Sequence, residues 1–535
     1  MDTIKIALIV VLGGDLVRSA EHVGIGYIAS YLRKYNFEVD IYEVTDIFDQ
    51  EQYSGLLDKG YGLVGFTTTC ITLKPILEMA KILKTYDPRI NIVFGGHMAT
   101  FTGTEILEKY MQVDYIIYGE GEITFLELAK KLENGDGMEA VKGVAYRDGE
   151  GIVRKNADRQ LICDLDMLPY PARDQFETNQ KNTQYIRIST SRGCYGSCAF
   201  CSSFAGRKQP GARWRGRSPA NVVDEIKYLT EKYDFHTFDF VDSTFEDPGP
   251  IGKRRIQEIA ERLIESGVHI YYNCCFRAEN WKEEDRELLK LLVESGLEKV
   301  NIGFEAGNDR GLKILHKRAR MKDNWRAIKV LKEFPEIYLT FGFIMLHPYS
   351  CNQDLYDNAQ FLHRTGIGQV IRHYFWQLEV YPGTLMEEKL IKDGLLAKDY
   401  DIADGMYKYV FVHEEMNFFA NAFKSLLELK SVWDFEIFDI VIHTFITRLR
   451  RKYRNTEIYC DIENFRMYVE NVRKEIADYN FEFFIKLWEH KQGYHLEAEK
   501  CELDCFIREK IKIIKKHQYQ LGHLILRTGR NLINR

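Results

Sequence analysis

Three cysteines, Cys194, Cys198 and Cys201, stand within eight residues in the stretch SRGCYGSCAFCSSF (191–204). Thiolates at C-x3-C-x2-C spacing on one loop can reach three corners of a cubane iron–sulfur cluster. The fourth iron is then left without a protein ligand, and an open coordination position is a place for chemistry. Two other readings compete: a zinc site completed by a distant residue, and three unrelated cysteines. A structural zinc tetrahedron wants a fourth ligand, and none lies nearby in the chain. Gly193 and Gly196 let the backbone curl tightly around such a group.

The elements that must position this loop follow from periodicity. Residues 1–150 alternate short apolar runs (4–12, 39–44, 63–69, 90–94, 115–118) with helical patterns (24–35, 71–85, 104–110, 123–132). Strands that are apolar throughout and joined by helices indicate a parallel sheet covered on both faces, a doubly wound α/β domain. Ligands of such sheets bind beyond the strand C-termini. The loops expected there are Gly13-Gly14, GFTTTC (65–70), FGGHMATF (94–101) and YGEGEITF (118–125). Residues 143–157 read as a hairpin turning at Asp148-Gly149, and LPYPARDQF (168–176) as an irregular linker, with the hairpin-and-linker region between the two domains set at 151–180. A second βα series occupies 181–400, with strands expected at 185–190, 237–241, 269–276, 299–304, 337–345 and 370–380. Six such units suggest a partial (β/α)6 barrel, whose chemistry belongs at the strand C-terminal ends. The cysteines come directly after its first strand. Residues 401–535 read as a helical C-terminal domain.

The chain has 535 residues, 45% of them hydrophobic, enough for two or three domains. A net charge of −6 argues against nucleic acid as a partner, despite local basic runs at 207–217 and 448–454. The N-terminal MDTIKIALIVVLGGD lacks the basic start and cleavage site of a signal peptide, and no apolar run is long enough to span a membrane. Eleven cysteines without an export signal point to a reducing, cytoplasmic location and to no membrane partner.

On the strength of C-x3-C-x2-C after a first barrel strand, residues 180–400 resemble the radical S-adenosylmethionine enzymes. The resemblance implies a [4Fe-4S] cluster on Cys194, Cys198 and Cys201, with S-adenosyl-L-methionine on its open iron and cleaved to a 5′-deoxyadenosyl radical. It implies contacts to that cofactor from Phe200, Asp242, Arg277 and Glu305, the last in IGFEAGND (302–309). Asp242 could equally serve as a structural cap, and Arg277 as one half of an ion pair. VYPGT (380–384) matches the family's sixth-strand ending, whereas FIMLHPYS (343–350) departs from its usual turn and leaves Tyr349 or Cys351 as candidate substrate-facing catalytic groups.

The first domain, through GFTTTC, GGHMAT and YGEGE, is similar to the cobalamin-binding domain of the B12-dependent members of that family. Thr67, Thr68, Thr69, Gly95, Gly96, His97, Gly119, Glu120 and Gly121 would then face cobalamin. The Asp-x-His-x-x-Gly motif that supplies a cobalt ligand elsewhere is missing, so the resemblance implies a base-off corrinoid without a histidine ligand. The resulting expectation is a cobalamin-dependent radical enzyme that methylates an unactivated carbon of a small-molecule or peptide substrate, reduced by a donor such as flavodoxin or ferredoxin. A non-methylating cyclisation, rearrangement or oxidation with the same cofactors is the alternative within enzymes. An RNA- or protein-binding module with a structural cluster is the alternative outside them.

Overall fold

A computed structural model describes residues 4–12, 21–179, 183–203, 210–249, 252–397, 400–489 and 496–533. The Gly13-Gly14 loop, residues 207–209 of the first basic run and Phe204 of the cysteine stretch lie outside the described residues. Packing divides the chain into two units: Met1–Cys275 with Glu379–Tyr409, and Phe276–Leu378 with Val410–Arg535.

In the first unit, strands Ile6–Val11 (β1), Val39–Val44 (β2), Leu63–Thr68 (β3), Asn91–Gly95 (β4) and Tyr115–Ile117 (β5) are all parallel, in the order β2-β1-β3-β4-β5. Side chains of β1 divide cleanly between two cores. Ala7, Ile9 and Val11 face one, with the helices Leu73–Tyr86 and Gly96–Lys109; Ile6, Leu8 and Val10 face the other, with Val23–Lys34 and Glu122–Asn134. That two-sided burial is why β1 reads as an unbroken apolar run, whereas the edge strand β2, VDIYEV, is half-buried and carries Asp40 and Glu43. We number the helices α1 (Val23–Lys34), α2 (Ser54–Asp58), α3 (Leu73–Tyr86), α4 (Gly96–Lys109) and α5 (Glu122–Asn134). The hairpin β6 (Val144–Arg147) and β7 (Val153–Lys155) extends the sheet antiparallel to β5, turning where Ile152 N–H and Asp148 N–H close across Asp148-Gly149.

Two expectations in this region need correction. FGGHMATF is not a loop, because α4 starts at Gly96, directly at the end of β4. Gly96 has φ +90, and a Cβ there would come within 2.7 Å of the Thr68 carbonyl oxygen, so only glycine can launch the helix this abruptly. Thr100 and Thr102 then donate their hydroxyls to carbonyls one turn back, which conceals a helix in a polar-looking sequence. The linker is also less irregular than expected, since it ends in the short helix Asp174–Asn179 (α6).

The same unit holds the start of the second series. Parallel strands Ile186–Ile188 (β8), Thr237–Phe240 (β11) and Tyr271–Arg277 (β12) pair in that order. Between β8 and β11 lies an antiparallel ribbon, Ser191–Gly193 (β9) with Trp214–Gly216 (β10), and the cysteine loop runs from one arm to the other. Helices Pro219–Tyr233 (α7) and Arg254–Glu265 (α8) follow β10 and β11. Ser218 caps α7 through its hydroxyl, with Pro219 at the first helical position.

The second unit contains α9 (Arg286–Ser295), β13 (Leu297–Glu305), α10 (Asp309–Ile314), α11 (Met321–Leu331), β14 (Tyr338–Phe343) and α12 (Asn352–Arg364), with β13 and β14 parallel. The expected sixth strand at 370–380 does not form. Ile371–Tyr374 is a 3-10 helix, and Gln377 keeps a single bridge to Leu346. Tertiary packing overrides the β-prone composition: Tyr374 and Phe375 turn toward Phe484 and Phe423 of the helical region. The chain then returns to the first unit as α13 (Leu385–Asp393) and its flanks. It ends in α14 (Met416–Leu427), α15 (Lys430–Lys452), α16 (Tyr459–Glu489) and α17 (Leu496–Ile533). No helix among the described residues is long and apolar enough to cross a membrane.

Candidate functional site

The C-terminal ends of the first sheet open into a cavity of about 310 Å³. Its wall takes Leu8 from β1, Gly65, Phe66 and Thr67 from β3, and Gly95 and Gly96 at the β4–α4 junction. The segment Gly119–Glu122 follows β5, and Ser189 and Val241 follow β8 and β11, so strand C-termini of both sheets meet this one space. Of the three threonines, only Thr67 lines it. Thr68 is fully buried, donating to the Gly95 carbonyl at 2.7 Å and accepting from Ala99 N–H, while Thr69 pairs with Thr72 ahead of α3. The Thr68 hydroxyl ties β3 to the end of β4, and the Thr69 hydroxyl closes the turn that leads into α3. The rest of the wall is largely apolar: Ile25, Ile28, Val93, Ile117 and Phe125. Gly24 also lines the cavity, and a Cβ there would meet nothing within 4 Å, so this side is open to a broad ligand.

A second cavity of about 330 Å³ joins the first turn of α4 to the cysteine loop, with His97, Phe101, Arg192, Cys194, Arg213 and Ser243 among its walls. His97 is exposed there, 6.3 Å from the Phe101 ring centroid. Arg192 and Glu120 line both cavities. Arg192 donates to Glu122 at 2.6 Å and Glu120 at 3.3 Å and lies 4.8 Å over the Tyr27 ring. Arg215, opposite it on the ribbon, donates to both Glu120 oxygens, and Ile162 N–H donates to the same carboxylate at 2.7 Å. Glu120, expected to face cobalamin, is therefore a counterion that ties the β5–α5 loop to the ribbon carrying the cysteines.

The loop itself is closed at its base by the ribbon. Gly193 has φ +84, and a Cβ there would fall 1.9 Å from the Arg213 carbonyl oxygen. Cys198 is buried and Cys194 and Cys201 are half-buried, and none of the three is in a disulfide. Gly196 N–H donates to Cys194 Sγ at 3.3 Å. Among the described residues no three His, Cys, Asp or Glu side chains converge as ligands of a metal ion, so the three thiols share a loop without yet sharing a point. As donors they suit an iron–sulfur cluster: three soft ligands on one tied loop, short of a fourth. Phe200 is half-buried between Cys198 and Cys201.

Asp242 serves this loop from beneath. Its Oδ1 accepts from Thr190 N–H and Ser191 N–H, both at 2.8 Å, and its Oδ2 accepts from the Thr190 hydroxyl. Both oxygens are thus engaged by the chain that leads into the ribbon, which is the structural one of the two roles expected for it. Burial pushes its pKa up to about 6 against those hydrogen bonds and the nearby Arg255.

The second unit holds the other predicted residues. Arg277 closes on Glu279 at 2.6 and 2.8 Å. Burial alone would raise the Glu279 carboxyl, but Arg277 and Lys317 hold it below its usual range. Glu305 ends β13 with φ +64 across a bulge, a conformation that costs a bulky residue about 1–3 kcal/mol. Its carboxylate folds over Gly303 and Gly342, where any Cβ would crowd it, and pairs with buried Lys317 at 3.1 Å. Strain concentrated on one buried acid is a mark of a working position. Tyr349 is half-buried, its carbonyl accepting from Arg310. Cys351 sits at the N-cap of α12, where its N–H donates to Asp354 at 2.9 Å.

Periodicity could not single out Gly24, Ile28, Arg192, Ser189 or Val241. The first turn of α1 looks like any buried helix, and the ribbon is too short to leave a pattern. Arg192 was nonetheless in view, two residues before Cys194 in the stretch that carries the thiols.

Residues 8–129 match the B12 binding domain and residues 188–362 the radical SAM superfamily. An uncharacterised methyltransferase of Pyrococcus horikoshii is 28% identical over 381 residues, covering 70% of this chain and 79% of the relative. The anaerobic magnesium-protoporphyrin IX monomethyl ester cyclase of a Synechocystis species is 29% identical over 276 residues, covering 51% of this chain and 53% of that protein. Among solved structures, the cobalamin-dependent S-adenosylmethionine radical enzyme OxsB with aqua-cobalamin bound superposes with a TM-score of 0.68 at 20% identity, over 98% of this chain and 81% of that one. At that identity the likeness speaks for the fold.

Proposed function

Because the chain belongs to the B12-binding radical S-adenosylmethionine enzymes, we propose that it methylates an unactivated carbon of a small-molecule or peptide substrate. The observation that carries this reading is Arg192, which forms a wall of both the cavity beyond the first sheet and the cleft beside Cys194. A corrinoid in the one and a cluster on the other would share this side chain as a wall.

Cys194, Cys198 and Cys201 would hold a [4Fe-4S] cluster, with Phe200 beside it. Thr67, Gly95, Gly96, Gly119 and Gly121 would lie against cobalamin, and Arg277 and Glu305 would serve S-adenosyl-L-methionine. When bound, these groups supply one-electron chemistry and a transferable methyl group. The chain's own residues do the positioning. Asp242 fixes Thr190 and Ser191, the ribbon fixes the loop base, and Glu120 ties both to the first sheet. Leu8, Ile28, Phe66 and Phe125 keep water from one face of the cavity, which protects reactive intermediates from quenching. The electron donor would be a cytoplasmic flavodoxin or ferredoxin.

Anaerobic reconstitution tests the reading. The wild-type chain should take up a brown chromophore and corrinoid, release 5′-deoxyadenosine, and yield S-adenosylhomocysteine with a methylated product. Alanine at any of the three cysteines should abolish 5′-deoxyadenosine formation. Release of 5′-deoxyadenosine without S-adenosylhomocysteine would favour a non-methylating reaction, the outcome that the resemblance to the cyclase keeps in play.

A further inference from the structure

The arginines on the cleft beside Cys194 are not all paired. Three arginines, Arg192, Arg213 and Arg215, line it. Glu120 is taken up by Arg192 and Arg215, and Glu122 by Arg192. That leaves Arg213, which is exposed and has no ion-pair or side-chain hydrogen-bond partner among the described residues. Arg213 is thus the one guanidinium on this cleft without a carboxylate partner among the described residues. Ser203 and Ser243 line the same wall with their hydroxyls 3.3 Å apart. At about 330 Å³ the cleft lies within the size range of small-molecule sites.

We propose that this cleft binds a phosphate group carried by the substrate, with Arg213 as its charged partner and Ser203 and Ser243 as hydroxyl donors. A free guanidinium fork with two hydroxyls offers more donors than the two oxygens of a carboxylate would use, and suits the three terminal oxygens of a phosphate monoester. Cys194 lines the same cleft, so an anion held on Arg213 brings the rest of its molecule to the cysteine loop. Calling that molecule the substrate rests on the loop being the reaction centre. The anion site itself does not.

The full chain, free of corrinoid, is titrated with inorganic phosphate and followed by phosphorus NMR line broadening. The wild type should bind saturably, and Arg213→Gln should weaken binding by about tenfold or more, the loss expected for one charge-assisted hydrogen bond. Ser243→Ala should weaken it less, with circular dichroism unchanged in both variants. No saturable binding, or equal binding by wild type and Arg213→Gln, overturns the site. A second arm compares capture of cobalamin with capture of cobinamide, which lacks the nucleotide phosphate. If Arg213→Gln weakens cobalamin alone, the anion is the corrinoid's own phosphodiester; if it weakens both, Arg213 is structural. Either result overturns the substrate assignment, and unchanged capture of both supports it. A chain that binds phosphate through Arg213 yet forms no 5′-deoxyadenosine would sink the radical-enzyme reading and leave the anion site standing.

Discussion

Arg215 donates from a single guanidinium nitrogen to both carboxylate oxygens of Glu120, at 2.9 and 3.0 Å. One partner belongs to the ribbon that closes the cysteine loop and the other to the loop after β5. Both side chains are largely withdrawn from water, 7% and 15% exposed. Such a pair adds little net stability when intact, yet is expensive to break from one side. Glu120→Ala leaves Arg215 without its carboxylate and Arg192 with Glu122 alone, and should cost about 3 kcal/mol in urea unfolding. A loss below about 1 kcal/mol would place the pair with ordinary surface bridges.

Gly193→Ala attacks the same ribbon through its backbone. With φ +84 and a Cβ 1.9 Å from the Arg213 carbonyl oxygen, the variant must open the β9–β10 pairing. The expected outcome is strain of about 1–3 kcal/mol and poor iron retention after anaerobic reconstitution. Corrinoid uptake should survive, since Gly193 lies outside the apolar cavity. Normal iron content would show that the ribbon is dispensable for the loop.

Asp242 makes stability depend on pH in an unusual direction. Its folded pKa, about 6, lies above the ordinary aspartate value because burial penalises the charge. The folded state therefore binds the proton more tightly than the unfolded chain does. The resulting stabilisation is fully present below about pH 4 and is lost as pH rises to about 6, at most about 3 kcal/mol. In Asp242→Asn, whose amide oxygen can still accept from Thr190 and Ser191, this component should disappear. Denaturation midpoints between pH 4 and 7 would reveal it as a difference in slope, and parallel slopes would contradict it.

In the second unit, Arg473 of α16 donates to Asp439 of α15 at 2.7 Å, and Tyr338 of β14 donates to the same carboxylate at 2.8 Å. Asp439 is fully buried. Arg473→Met should cost about 3–5 kcal/mol because it strands that charge. Adding Asp439→Leu should recover much of the loss, measured by thermal unfolding of the two variants and the double variant.

Legibility in the sequence tracked the reach of the forces involved. The interior strands of the first sheet were plain, because burial on both faces leaves mostly apolar runs. The thiols were plain because their spacing lies within one loop. The start of α4 was hidden, since Thr100 and Thr102 satisfy their hydroxyls inside the helix and so resemble loop residues. The missing sixth strand was hidden because Tyr374 and Phe375 answer to aromatic partners more than forty residues away in the chain. Glu120 lines the cavity as expected, and its ties to Arg192 and Arg215 were not legible. Nothing local distinguishes a carboxylate that waits for a ligand from one that waits for Arg215.

The first unit is discontinuous in the chain: Glu379–Tyr409 completes what Met1–Cys275 begins. Ile402 lies in the core of the first sheet, and Gly405 packs so closely on Cys70 that a Cβ would fall 1.9 Å from its carbonyl oxygen. Lys109 and Asp401 add an ion pair at 2.8 Å. During synthesis, the corrinoid-type half therefore waits for a segment made more than a hundred residues later. A ribosome paused before residue 402 holds a first sheet with part of its apolar flank uncovered. Cutting the gene at 150 or 275 would reproduce that unfinished state permanently.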